Sequence, residues 1–343
     1  MGFDLDLLKG FRFQCRPDCG LCCYAEPRID PPERTRLLQI APETRFVGRG
    51  PDRFLASNPN GGSCQFLAEH RCRVHDARPH PCREFPVTVH VGHRLQATLV
   101  LSCPGLELEA LRRENRGMDV RCEGLDDEIA SVRARIGPGV ARRLAAAQVR
   151  GRRVERRLRS EGRWVEEDEV RRDLRDRLPS PGSANFPVED PPEASDPWES
   201  LPLFFDGRSG PLAFARDLGG WEVLELSPHG GGEALSVIPP PDRPPALSPG
   251  ADSFLADYLR YVLNRDQFLA SVELEAAEGE SGDVAEWARS GLAALGAVVL
   301  ARGSVRAKLH GGDGMTLSER DVIAGIRATD MDWLDRPTWG DRL

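Results

Sequence analysis

FQCRPDCGLCC, residues 13–23, places four cysteines within nine positions, two of them adjacent. Three chemistries call for thiols at this density: disulfide bonds, a catalytic thiol pair, or ligands for a metal ion or an iron-sulfur cluster. The choice decides how the first part of the chain folds, because it has little else to fold around. Residues 11–85 contain only 16 large apolar or aromatic side chains (Phe, Ile, Leu, Val, Tyr) among 75, with nine prolines and five glycines. Such a stretch buries too little apolar surface to offset the entropy of ordering it.

The whole chain is less unusual. Its 343 residues suggest about two domains. With 40% apolar and 29% charged residues the bulk reads as an ordinary soluble globular protein. A formal net charge of -8 argues against a surface that coats nucleic acid throughout. MGFDLDLLKG has acidic residues where a basic signal-peptide region belongs. The longest apolar run, Ser290 to Ala301, has 12 residues against the roughly 20 that span a bilayer. A cytoplasmic protein without a membrane segment is expected, and cytosolic thiols are kept reduced, which argues against disulfides.

The thiols define a region: eight of the nine cysteines precede residue 104, and only Cys122 lies beyond. Their spacing is Cys15-x3-Cys19-x2-Cys22-Cys23, then Cys64-x7-Cys72-x9-Cys82-x20-Cys103. Thiolate is the ligand that zinc and iron-sulfur clusters share, and short gaps let one loop present several sulfurs to one centre. Eight thiolates could serve two four-coordinate sites. On an extended backbone Cys22 and Cys23 would point to opposite sides, which suits two centres better than one. A metal would also explain how so poor a core folds: structural zinc contributes roughly 10 to 16 kcal/mol to small domains, comparable with the about 5 to 15 kcal/mol total stability of an ordinary one.

CRPDCGLCC, the Cys64-Gln65-Phe66-Leu67 segment, and Cys72 leading through Arg78-Pro79 to Cys82-Arg83-Glu84-Phe85-Pro86 together resemble the CxxCxxCC, or YkgJ-type, cysteine cluster family of zinc- or iron-chelating domains, often labelled iron-sulfur oxidoreductases. The resemblance spans roughly residues 11–105. It departs at Cys15 and Cys19, which enclose three residues where two are usual, and at His75, which stands where an aromatic residue, often Tyr, is common. His75 is either a recruited nitrogen ligand or the filling of a tyrosine-sized packing slot. A more distant similarity to flagellin lysine N-methylases implies methyl transfer as one enzymatic alternative.

Outside the cysteines the elements are short. Asp30-Pro31-Pro32-Glu33 reads as a capped helix start. Val87, Val89 and Val91, then Leu95, Ala97, Leu99 and Leu101, alternate about Gly92-His93 as a hairpin that returns Cys103 toward the other thiols. His70, His75, His80, His90 and His93 fall close together, and His90 and His93 are expected to be exposed at the hairpin turn. Residues 133–163 hold eleven arginines against two acids, and Ile136, Val140, Leu144, Val154 and Leu158 suggest helices with one apolar stripe. That face is either a phosphate-contacting surface or a solvated one balanced by acids such as Glu166 to Glu169.

A proline-rich linker over 179–200 precedes strand candidates starting at Leu201, Pro211, Trp221 and Ala234, an expected antiparallel meander. Phe254, Tyr258, Val262 and Leu269 behind a capping Asp252, then Val284 to Val299, then a Thr316/Glu319 capping box predict three closing helices. Cys15-x3-Cys19-x2-Cys22 also has the spacing of radical S-adenosylmethionine enzymes, but the following chain lacks their repeated strand-helix units. The expected fold is α+β: a coil-rich metal-stabilised cysteine domain over 1–125 with a hairpin, an arginine-rich helical connector over 126–178, the linker over 179–200, and an α+β domain over 201–343. The expected ligands are Cys15, Cys19, Cys22, Cys23, Cys64, Cys72, Cys82 and Cys103, holding an iron-sulfur cluster of the 4Fe-4S type or zinc, with Arg78 and Arg83 either offsetting thiolate charge or standing as plain surface arginines. The expected function is metal binding, with a redox module and a cluster-dependent oxidoreductase or methyltransferase as its two forms. Besides the metal, a protein partner is expected, with nucleic acid at the arginine-rich connector as the lesser alternative.

Overall fold

The Asp30 carboxylate accepts the Glu33 amide at 2.8 Å and Pro31 fixes the first turn, so α1 runs Pro31–Ile40 as its cap signals require. The computed structural model describes residues 3–16, 19–24, 27–49, 52–58, 62–112, 123–180, 186, 188–193, 201–205, 210–227 and 232–342. Cys122, most of the proline-rich linker and the His229–Gly231 turn lie outside the described residues. After α1 come two small antiparallel ladders, β1 (Phe46–Arg49) with β2 (Asp52–Leu55) and β3 (Leu67–Ala68) with β4 (Arg71–Cys72), then the single-turn helix α2 (His80–Glu84). The buried apolar cluster of this segment consists of Ile29, Leu37, Ala41, Leu55, Phe66 and Val74. It is as small as the composition requires.

The hairpin forms as expected: β5 (Val87–Val91) pairs with β6 (Leu95–Leu99) in the register Val87↔Leu99 to Val91↔Leu95. Its surroundings differ from a half-exposed sheet, since every residue of β6 is buried. The polar positions face a helical layer and are satisfied there. Gln96 Nε2 donates to Asn264 O at 3.1 Å while its Oε1 accepts the Asp266 amide at 2.7 Å, and Thr98 Oγ1 meets the Tyr261 hydroxyl at 3.1 Å. His90, expected at an exposed turn, is buried, its Nε2 3.4 Å from Thr338 Oγ1. His93 bonds Glu273 at 3.4 Å and meets the Trp339 ring edge-on.

The arginine-rich stretch forms α3 (Asp126–Arg135) and α4 (Pro138–Ser160), followed by α5 (Glu167–Asp176). On α4, Val140, Ala147, Gly151 and Leu158 are buried. Its outer guanidinium groups meet acids: Arg159 bonds Glu155 at 2.8 Å and Glu166 at 2.6 Å, and Arg157 bonds Glu161 at 3.1 Å. Arg163 bonds Glu161 at 3.0 Å and also turns inward, donating to the carbonyls of Ala276, Gly279, Ser281 and Gly282.

The meander is β7 (Leu203–Phe204), β8 (Leu212–Asp217), β9 (Gly220–Leu226) and β10 (Gly232–Ile238), antiparallel in the order β10-β9-β8-β7. Its alternation gives it two buried faces. Leu203, Ala213, Ala215, Leu224 and Leu226 pack on Cys19, Leu21, Tyr24 and Leu67 of the cysteine segment. Phe204, Phe214, Trp221 and Val223 pack toward the C-terminal helices. The sheet is thus the layer between the thiols and the helical core.

The closing elements are β11 (Ala246–Leu247), α6 (Pro249–Leu263), α7 (Asp266–Glu278), α8 (Val284–Leu309), β12 (Thr316–Leu317), α9 (Glu319–Leu334) and β13 (Asp341–Arg342). Three expectations are corrected here. The helix read through Leu269 breaks at Asn264–Arg265 into α6 and α7, and its cap is Ser248, not Asp252. The last capping box is Ser318 with Asp321, because Thr316 is held in β12 against Ala246. The apolar run is also longer than a strict reading suggests: α8 is long and apolar enough to cross a bilayer by length and composition, with 61% of that window buried inside the protein. It crosses α9 so closely that a Cβ on Gly325 would stand 2.2 Å from Val299 O, which only glycine avoids.

One buried apolar cluster runs through the hairpin, the connector helices and α6–α9. Within it lies an ion pair with no exposed surface on either side chain. Arg265 Nη1 and Nη2 donate to the Asp330 carboxylate at 2.8 and 2.9 Å, and Nη2 also reaches Leu99 O at 2.8 Å. Asp330 accepts the Leu101 amide at 2.7 Å and the Tyr258 hydroxyl at 3.0 Å. Three residues before Asp330, Arg327 donates to Cys103 O at 2.9 Å and Leu106 O at 3.0 Å. The helical core thereby fixes where the hairpin delivers Cys103.

Candidate metal centre

Three short segments carry the remaining expected ligands to one place. Cys15 follows Gln14, whose amide donates to Gly105 O at 2.9 Å. Gly20, at φ +59°, turns the chain into a single 3-10 turn, Leu21–Tyr24, whose Leu21 and Tyr24 anchor on the meander. Tyr24 also donates its hydroxyl to Ser227 O at 3.3 Å. The Cys64 amide donates to Cys23 O at 2.6 Å, which joins the second segment to the first. Cys72 lies in β4 opposite Leu67, and Cys82 is carried by α2.

Together Cys15, Cys19, Cys22, Cys23, Cys64, Cys72 and Cys82 line one cavity of about 410 Å³. Cys103, the eighth, is buried beside Cys19 and Cys22 and does not form part of the wall. All eight are free thiols. The expectation that Cys22 and Cys23 diverge is corrected: the backbone there is a 3-10 turn, not an extended strand, and Cys23 hydrogen-bonds both Cys22 and Cys72. Among the described residues, no three His, Cys, Asp or Glu side chains are already drawn around a single ion position. What converges is a wall of sulfur donors.

Burial, hydrogen bonds and a neighbouring cation set the protonation of these thiols. Burial raises them: Cys19 to about 11, Cys64 to about 12, and Cys82 well above its ordinary value. Hydrogen bonds oppose it. The bond from Cys23 holds Cys72 down to about 7 and also lowers Cys22, at the cost of raising Cys23 itself. A backbone N–H two residues on points at the sulfur of Cys19 (from Leu21), Cys64 (from Phe66, 3.5 Å), Cys72 (from Val74) and Cys103 (from Gly105). This repeated bond favours thiolate, as does the guanidinium of Arg78 in the cavity wall, which lowers Cys15, Cys22, Cys72 and Cys82. Buried thiols that are pushed toward protonation yet aimed at by N–H donors suit a bound cation that displaces their protons. Soft sulfur donors fit zinc or iron-sulfur chemistry, not calcium or magnesium.

The other expected residues separate clearly. Arg78 lies on the wall, whereas Arg83 turns away to His80 Nδ1 at 3.2 Å and Glu33 at 4.0 Å. His75 lines the cavity but is half exposed, its Nδ1 3.6 Å from Asp76, so it fills no packing slot. His80 lies off the wall, 3.2 Å from Ser131 Oγ. Sequence reasoning missed Arg16 and the role of His70, both wall residues. Their only signal was that Arg16 follows Cys15 and His70 lies two residues before Cys72.

Searches of curated proteins and of solved structures return no match to the chain. Residues 14–128, the stretch that supplies every thiol of this wall, match the family model CxxCxxCC, described as a "Putative zinc- or iron-chelating domain".

Proposed function

We propose that the chain is a metal-binding protein whose cysteine domain holds a polynuclear metal-thiolate centre, and that with an iron-sulfur cluster of the 4Fe-4S type it works as a redox module. The observation that carries this reading is the seven thiols on one cavity wall. A mononuclear structural zinc takes four ligands, and seven donors around about 410 Å³ exceed that need. The ligands would come from Cys15, Cys19, Cys22, Cys23, Cys64, Cys72 and Cys82, with Cys103 in reserve behind Cys19. The bound centre would supply electron transfer or, as zinc, a structural clamp. The chain's own residues hold the sulfurs, exclude water with Leu55, Phe66 and Val74, and offset charge through Arg78. N–H bonds to the sulfurs are one of the means by which proteins set a cluster's potential.

Thiolate ligands need their cysteines reduced, so the reading goes with a reducing compartment, the cytoplasm. The test is metal content per chain in Cys19→Ser and Cys82→Ser variants. Both should lose bound metal. Unchanged content in both would remove the assignment.

A further inference from the structure

We propose that His70 supplies an imidazole nitrogen to the metal held in this cavity, giving the centre mixed sulfur and nitrogen ligation; the inference rests on the metal-binding reading above. His70 shares the wall with the seven thiols, and its Nδ1 is buried with no hydrogen-bond partner among the described residues. Buried polar atoms are paired in the great majority of cases, and the ring that carries this unpaired nitrogen forms part of the donor-lined wall. The neighbouring histidines are accounted for otherwise: His75 lies beside Asp76, His80 bonds Ser131, His90 meets Thr338 and His93 bonds Glu273.

The backbone independently singles out this residue. Glu69 and His70, at φ 48° and 59°, form the two-residue turn between β3 and β4, and both occupy the left-handed region. Asn-Gly and Asp-Gly are the residues such turns favour. A Glu-His pair held there stores strain of the kind that persists at functional sites. The turn fixes His70 two residues from Cys72, in a hairpin whose Leu67↔Cys72 pair sets the register. From outside, the meander closes on the ring: a Cβ at Gly210 would lie 3.0 Å from His70 Cε1, so glycine leaves the imidazole its space.

A neutral imidazole is a normal zinc ligand, and histidine replaces cysteine on one iron of some clusters, where it raises the potential. It also adds a donor without adding negative charge to a wall already rich in thiols. X-ray absorption at the edge of the metal present in purified wild-type protein reads the ligand type directly. The expected spectrum has a sulfur shell, a nitrogen contribution and the outer-shell scattering of imidazole. That scattering should vanish in His70→Ala and persist in His75→Ala, and His70→Cys should convert the shell to sulfur. An all-sulfur shell in fully loaded wild-type protein would overturn the His70 assignment and leave the thiolate centre standing, as would imidazole scattering lost in His75→Ala but kept in His70→Ala. Wild-type protein without metal would overturn both.

Discussion

Replacing Asp330 by Asn tests whether the core that delivers Cys103 depends on a buried charge pair. Asp330 and Arg265 have no exposed side-chain surface, and the carboxylate also accepts the Leu101 amide and the Tyr258 hydroxyl. The substitution is nearly isosteric, so little cavity forms. It removes the only negative charge bonded to the buried Arg265 guanidinium among the described residues. Stranding one member of a buried pair costs about 3 to 5 kcal/mol. Urea denaturation followed by circular dichroism should show that loss as a lower midpoint at an unchanged slope. The exposed Arg159–Glu166 pair is the internal control: Glu166→Gln should leave the midpoint nearly where it is in wild type. In Arg265→Met/Asp330→Leu no charge is stranded, so the double variant should lose less than Asp330→Asn alone. A cost under about 1 kcal/mol for Asp330→Asn would refute the role given to this pair.

Three further outcomes follow from the same structure. Arg78→Gln removes the cation that favours thiolates at Cys15, Cys22, Cys72 and Cys82, so half-maximal metal uptake should move to higher pH; an unmoved uptake curve would contradict the electrostatics. Burial pulls His93 down, but its bond to Glu273 outweighs this and leaves it raised above 6.5. A raised histidine stabilises the fold fully below its unfolded value and loses that contribution as pH rises through the folded one. Stability measured upward from pH 6 should therefore fall more in wild type than in His93→Gln, and parallel curves would exclude the effect. Chelation should raise amide hydrogen exchange from α1 through β4, where the apolar cluster is small, while β6 and α6 through α9 stay protected; uniform protection in both regions would show that the metal does not replace a core.

The parts of this fold with strictly local causes were legible in the sequence. Asp30 with two prolines fixes a helix start, alternating Val and Leu residues fix a hairpin, and glycine-bounded runs fix the meander. What escaped depends on contacts distant along the chain. Gln96 and Thr98 alternate with the apolar residues of their strand, yet they are buried and residues from 261 to 266 satisfy them. The helical period runs unbroken past Asn264, but Arg265 is drawn to Asp330, 65 residues away, and the helix ends there. Ser318 displaced Thr316 as a cap because a two-residue strand claimed the threonine. At the site, seven of the eight cysteines named from their spacing line one wall. It could not show that Cys22 and Cys23 share a 3-10 turn, that Cys103 stands off the wall, or that the turn at Glu69-His70 presents an imidazole.

The most direct test of the account is the metal and acid-labile sulfide content of anaerobically purified protein, taken with its visible absorption spectrum. The seven-thiol cavity predicts more than one metal atom per chain: iron with matching sulfide and a brown colour for the cluster, or two or more zinc ions without colour. Protein that carries no metal, or a single zinc per chain, would contradict it.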